Sequence, residues 1–78
     1  MIRIKKELNN KLTVVYLPGG TVLYFSYETL VAFKKHRELY ISKNIWSNTT
    51  GRHLNWIDDD KDFRMDNDKF MEFARREL

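Results

Sequence analysis

The order of apolar and polar positions divides the chain into short strands followed by helices. Ile2, Ile4 and Leu8 alternate with Arg3, Lys5 and Glu7, the period of two of a half-buried strand. Asn9-Asn10 follows, and asparagine tolerates the positive φ of a tight hairpin turn. Lys11 to Leu17 returns as a second strand with Leu12, Val14 and Tyr16 on one face. Pro18-Gly19-Gly20 is the strongest turn signal in the chain, and Thr21 to Tyr27, rich in β-branched and aromatic residues, is a third strand. Ser26-Tyr27-Glu28-Thr29 reads as a bend or bulge leading into Leu30-Val31-Ala32-Phe33. That run is taken as a fourth strand, although its pattern also fits the start of a helix. The basic loop Lys34 to Glu38 then turns into Leu39-Tyr40-Ile41-Ser42.

The pattern changes in the last third. Ser47 or Thr49 can cap a helix running to about Ile57, with Trp46, Thr50, His53, Leu54 and Ile57 on its core face. Asp58 to Asp62 is an acidic linker, and Asp66 is a second helix cap. In the helix beyond it, Phe70, Met71, Phe73, Ala74 and Leu78 form one broad stripe. Consecutive hairpins give a meander that needs a cover, and the helices supply it. The expected fold is α+β, a single domain over residues 1–78. It comprises an antiparallel β-meander of four to five strands with two C-terminal helices packed on one face.

Composition narrows the classes. With 42% hydrophobic and 14% aromatic residues, the 78-residue chain folds, but its core is small enough for oligomerisation or a partner to help. The absence of cysteine removes disulfides, thiol catalysis and cysteine-ligated zinc, and suits a reducing cytoplasm. Neither a leader nor a membrane span is expected, because no apolar run is long enough for either. Residues 1–57 net +6 and residues 58–78 net −3, a division that suits mutual attraction of the two ends or an acidic partner.

Trp46 to Ile57 concentrates both tryptophans with hydroxyl and amide side chains. Arg52 and Trp56 share a helix face away from the core, and both residue types dominate binding hot spots, so Arg52, Trp56 and Asn55 form the candidate binding edge. Tyr27, Thr29 and Tyr40 join it if the strands bring them there. The alternative packs Trp56 under the acidic linker or against the last helix. Ser47, Thr49, Thr50 and His53, with Asp58, are the residue types of a nucleophile and base, but nothing resembles a nucleophile elbow, and capping explains the hydroxyls. No catalytic residue is assigned. Asp58, Asp60 and Asp62 begin a calcium loop, which fails because Phe63 stands where glycine is needed and Lys69 where a bidentate glutamate is needed. No metal and no cofactor is expected. Lys5, Lys6, Lys11, Lys34, Lys35, Arg37 and Lys43 with Tyr24, Tyr27 and Tyr40 make nucleic-acid binding the alternative, with Lys34, Lys35, Arg37 and Lys43 as its core.

Two segments carry a resemblance. Ser26-Tyr27-Glu28-Thr29-Leu30-Val31-Ala32-Phe33 and Trp46-Ser47-Asn48-Thr49-Thr50-Gly51-Arg52-His53-Leu54-Asn55 resemble paired segments of small bacteriophage proteins. There, a Ser-Tyr-x-Thr-x-Val-Ala stretch accompanies a Trp/Tyr-Ser-x-Thr-Thr-x-Lys/Arg-His-x-Asn stretch. The likeness spans about residues 22 to 57 and implies a phage origin more than an activity. It fits a cytoplasmic accessory or anti-defence (anti-CRISPR-like) factor. The leading expectation is therefore a non-enzymatic protein that binds another protein, and homodimeric assembly is a third reading.

Overall fold

A computed structural model describes the backbone of the first strand and residues 11–78 in full. The turn expected at Asn9-Asn10 and the side-chain alternation expected from Ile2 to Leu8 lie outside the described residues. Five strands run in chain order: β1 (Arg3–Glu7), β2 (Leu12–Tyr16), β3 (Val22–Ser26), β4 (Thr29–Lys35) and β5 (Glu38–Ile41). They pair antiparallel, each with the next, to give the sheet β1-β2-β3-β4-β5. Two helices follow, α1 (Asn48–Ile57) and α2 (Asn67–Glu77), joined by a short 3-10 turn at Lys61–Phe63. The α+β meander with C-terminal helices is therefore what the sequence encodes.

The turns obey the backbone chemistry unevenly. Gly19 and Gly20 take φ of 86° and 88° between β2 and β3, a conformation open to glycine at little cost. The β3–β4 and β4–β5 hairpins close with two residues each, and neither uses glycine. Tyr27 has φ 58° where Ser26 pairs with Thr29, so the expected bend is a tight turn. His36 and Arg37 have φ 54° and 66° between Lys35 and Glu38. Positive φ at both positions is the turn whose twist matches that of the flanking strands, which favours it in spite of the side chains.

The bulge lies further along, inside β4. Tyr24 opposes Ala32 while Phe25 opposes Leu30, leaving Val31 as the extra residue. A strand normally sends alternate side chains to opposite faces. Here Val31 and Ala32 join one core cluster, while Leu30 and Phe33 join the other. The bulge thus lets four consecutive apolar residues serve both sides of the sheet.

Both sides need a cover, and this corrects the expected packing. Leu54 of α1 sits with Val31, Ala32 and Ile41, with Tyr24, Leu39 and Ile57 at the margin. Phe70 and Ala74 of α2 sit with Phe33, flanked by Leu23, Leu30, Tyr40, Met65 and Phe73. The helices therefore lie on opposite faces, giving three layers with the sheet in the middle. The physical reason is that β4 and β5 are apolar on both faces, and one helix cannot bury both.

Between the helices the chain passes around the β5 edge. Met65 forms an isolated parallel bridge with Ser42. Its N–H donates to Ile41 O at 2.9 Å, and Lys43 N–H donates to Met65 O at 2.8 Å. Ser47 caps α1, its Oγ accepting from Thr50 N–H at 3.2 Å. Asp66 occupies the cap position of α2 without a side-chain cap bond. The expected α2 stripe narrows: Phe70 and Ala74 are buried and Phe73 half-buried, while Met71 and Leu78 are exposed.

Candidate binding face

Helix α1 is two-sided in a way that its sequence dictates. Thr50, His53 and Leu54 are buried against the sheet. At 100° per residue, Asn48, Arg52, Asn55 and Trp56 turn away from that face, and all four are exposed. Trp46, expected in the core, is 36% exposed just ahead of the helix.

The buried side holds a run of polar groups. Ser47 Oγ donates to Thr50 Oγ1 at 3.3 Å, Thr50 Oγ1 lies 2.9 Å from Ser26 Oγ, and Ser26 Oγ lies 2.6 Å from His53 Nδ1. With Ser47 donating first, each hydroxyl passes one hydrogen along, and His53 Nδ1 is the final acceptor. The run fastens α1 to the end of β3, with its three hydroxyls and His53 Nδ1 all hydrogen-bonded. Ser26 is the residue that sequence reasoning passed over. A serine at the end of a strand gives no local signal, because its partner lies 27 positions away.

A serine 2.6 Å from a histidine has the composition of a nucleophile and base, so its surroundings matter. Ser26 is 2% exposed and His53 1%, sealed beneath α1. Among the described residues no carboxylate bonds to the imidazole, and Asp58 caps the far end of the helix, its N–H donating to Leu54 O. The arrangement is a packed hydrogen-bond run.

Burial pushes the His53 pKa below the ordinary 6.5, and the Arg52 guanidinium acts in the same direction. The unfolded chain takes up a proton near pH 6.5 that the folded chain resists, so acid favours unfolding. Stability is expected to fall as pH drops below about 6.5, levelling off beneath the depressed folded pKa. Urea denaturation at pH 7.5 and 5.5 checks this. Wild type should lose more stability across that interval than His53→Gln, which carries no titrating ring.

The outward side holds the polar and aromatic groups. Trp56 is 48% exposed and stands one turn beyond Arg52. Asn55 Oδ1 accepts from Arg64 Nη2 at 2.8 Å, tying the helix to the segment ahead of α2. A groove of about 360 Å³ runs along this side, lined by Asn44, Asn48, Gly51, Arg52, Asn55, Lys61 and Arg64. Gly51 is small for a reason. A Cβ there would approach Asn44 Nδ2 to 3.0 Å, and that amide is already held, donating to Ser47 O and accepting from Trp46 N–H, each at 2.9 Å.

The other sequence-selected residues are dispersed. Tyr27 is exposed at the β3–β4 turn, its ring 6.0 Å from His53 and under the Lys11 ammonium, so it reaches α1, with Thr29 exposed beside it. Tyr40 is on the opposite face, stacked on Phe33 at 4.7 Å and packed against Phe73 of α2. It shares no surface with Arg52 and Trp56. Its hydroxyl donates to Glu38, and that bond is the first cause of its raised pKa.

Nor do the basic residues of the nucleic-acid alternative form one side of the sheet. Lys35 donates to Glu77 O at the end of α2, and Lys43 pairs with Asp66 at 3.0 Å. Lys34 and Arg37 line a hollow whose charge is balanced by Glu38 and Asp58. The side chains of Lys5 and Lys6 lie outside the described residues.

No group of histidine and carboxylate side chains able to hold a metal ion occurs among the described residues, and no helix is long and apolar enough to cross a membrane. No curated protein and no solved structure matches the chain. Its sequence over residues 2–73 does match a family of unknown function, DUF8033, and the chain belongs to that family.

Proposed function

We propose that this is a small non-enzymatic binding protein that engages a protein partner through the outward face of α1, with Trp56 and Arg52 as its anchors. The observation that carries the reading is Trp56 itself. Its indole is about half exposed beside an exposed guanidinium, on a helix whose other side is already buried. Tryptophan and arginine are the residues most enriched where binding energy concentrates. The enclosed Ser26–His53 pair supports a binding role over a hydrolytic one. The segments resembling small bacteriophage proteins support a phage-encoded accessory factor, acting in the host cytoplasm against a defence assembly.

The test is capture from nuclease-treated bacterial lysate on immobilised protein. Wild type should retain a protein partner. Trp56→Ala and Arg52→Ala should each weaken its affinity at least about 30-fold, the size of a hot spot of about 2 kcal/mol. Both side chains are exposed, so the thermal midpoint should stay within a few degrees of wild type. Undiminished capture by both variants would remove this face from the binding surface. Capture abolished by nuclease alone would move the function to nucleic acid.

A further inference from the structure

The groove beside Trp56 has its own chemistry. Three of its lining side chains, Arg52, Lys61 and Arg64, are cationic, and among the described residues no carboxylate lines it. The nearby acids are turned elsewhere: Asp58 Oδ1 accepts from Asp60 N–H at 2.9 Å, and Asp60 Oδ1 accepts from Asp62 N–H at 3.0 Å. Each of these two oxygens caps its own turn.

Arg64 is the unusual member. It is only 9% exposed, and a guanidinium so far out of water normally meets a counter-charge. Among the described residues no carboxylate lies within ion-pair distance of it. Its Nη2 donates to two neutral acceptors, Asn55 Oδ1 at 2.8 Å and Asp58 O at 3.2 Å. Its Nε is buried with no hydrogen-bond partner. The side chain is therefore clamped in one orientation while its charge and part of its donor fork are unanswered. Both Nη2 hydrogens are used by the bonds to Asn55 and Asp58, and among the described residues Nη1 makes none, so Nη1 is the donor left to an oxyanion. A guanidinium already held in place loses little freedom on making that charge-assisted bond. The amides of Asn44 and Asn48 add neutral donors along the rim, and Gly51 keeps the floor free of a side chain.

We infer that the groove between α1 and the Lys61–Arg64 segment is an oxyanion site, with Arg64 as the fixed donor and Arg52 and Lys61 as the closing cations. The inference rests on reading this face as the binding face, and it gives the partner a chemistry. The partner presents a carboxylate or phosphate group to the groove while an apolar surface covers Trp56.

The test uses the full 15N-labelled chain, titrated with sodium phosphate and separately with sodium acetate. Sodium chloride replaces either salt to hold ionic strength fixed. The arginine Nε–Hε and asparagine side-chain resonances are followed by NMR. Saturable shifts of Arg64 and Asn55 are expected with at least one oxyanion and not with chloride. Saturation by acetate alone identifies a carboxylate-bearing partner, and saturation by phosphate alone a phosphorylated one. Arg52→Gln and Lys61→Gln, both at exposed positions, should each weaken the site about tenfold, a charge-assisted bond's worth. Shifts reproduced by chloride, shifts that never saturate, or variants that bind as wild type does would each overturn the site. Partner capture that depends on Trp56 without any oxyanion binding would leave the proposed function standing and this inference refuted.

Discussion

Phe33→Ala is expected to cost about 3–5 kcal/mol, a large part of the stability of a domain this small. Phe33 is fully buried in the middle layer, with its ring 4.7 Å from Tyr40 and 5.7 Å from Phe70. Removing the ring forfeits its transfer energy, breaks two aromatic contacts and opens a cavity between sheet and helix. The cavity cannot collapse readily, because Phe33 also pairs with Leu23 and Tyr40 across the backbone ladders. A domain of this size carries only about 5–10 kcal/mol in all. The thermal midpoint should drop by at least about 12 °C, since each kcal/mol moves it by roughly 4–8 °C at this length. Met71→Ala on α2, the helix that covers Phe33, is the control. Its side chain is 38% exposed, and its loss should cost less than about 1 kcal/mol. Equal losses for the two variants would mean that α2 does not pack on the sheet through Phe33.

Leu54→Ala should cost about 2–5 kcal/mol, and its character should differ. Leu54 is fully buried and is the only wholly buried aliphatic side chain that α1 contributes to the sheet. Its other buried residues, Thr50 and His53, are held through hydrogen bonds to Ser26. Those bonds depend on the apolar seal that keeps water from competing for them. Losing Leu54 should therefore loosen α1 as a unit before the sheet opens. Hydrogen exchange is the appropriate measurement: amides of Leu54 to Asp58 should exchange much faster, while those of Phe70 to Ala74 should change least. Partner capture should fall as well, although no groove or anchor residue is changed. Uniform acceleration across α1 and α2 would show that the two faces unfold together.

The strands were legible because their causes are local. Alternation placed β2 and β3 to within a residue at each end, and the Pro18-Gly19-Gly20 turn separated them. The Ser47 cap was legible for the same reason, since the hydroxyl and its acceptor N–H lie three positions apart. The division of the helices between two faces was also written in the chain, in the unbroken apolar run Leu30 to Phe33. Such a run marks a strand covered on both sides, and a meander with one wet face would have alternated. The groove was half visible. Arg52 and Asn55 follow from helix periodicity, whereas Arg64 reaches the same place only where the chain turns back along the β5 edge. No spacing rule reports that.

The rounding of that edge has a consequence for how the protein behaves at high concentration. An open strand edge offers its unpaired amides and carbonyls to any extended chain it meets, which is how sheets join end to end into aggregates. At β5 that offer is withdrawn where Met65 occupies Ile41 O and Lys43 N–H. An incoming strand must first displace the connection between the helices, and with it the Arg64 clamp that closes the groove. Lateral growth of the sheet past Ile41 and an intact Met65 connection are thus mutually exclusive, so association that extends through this end of β5 should weaken the binding face.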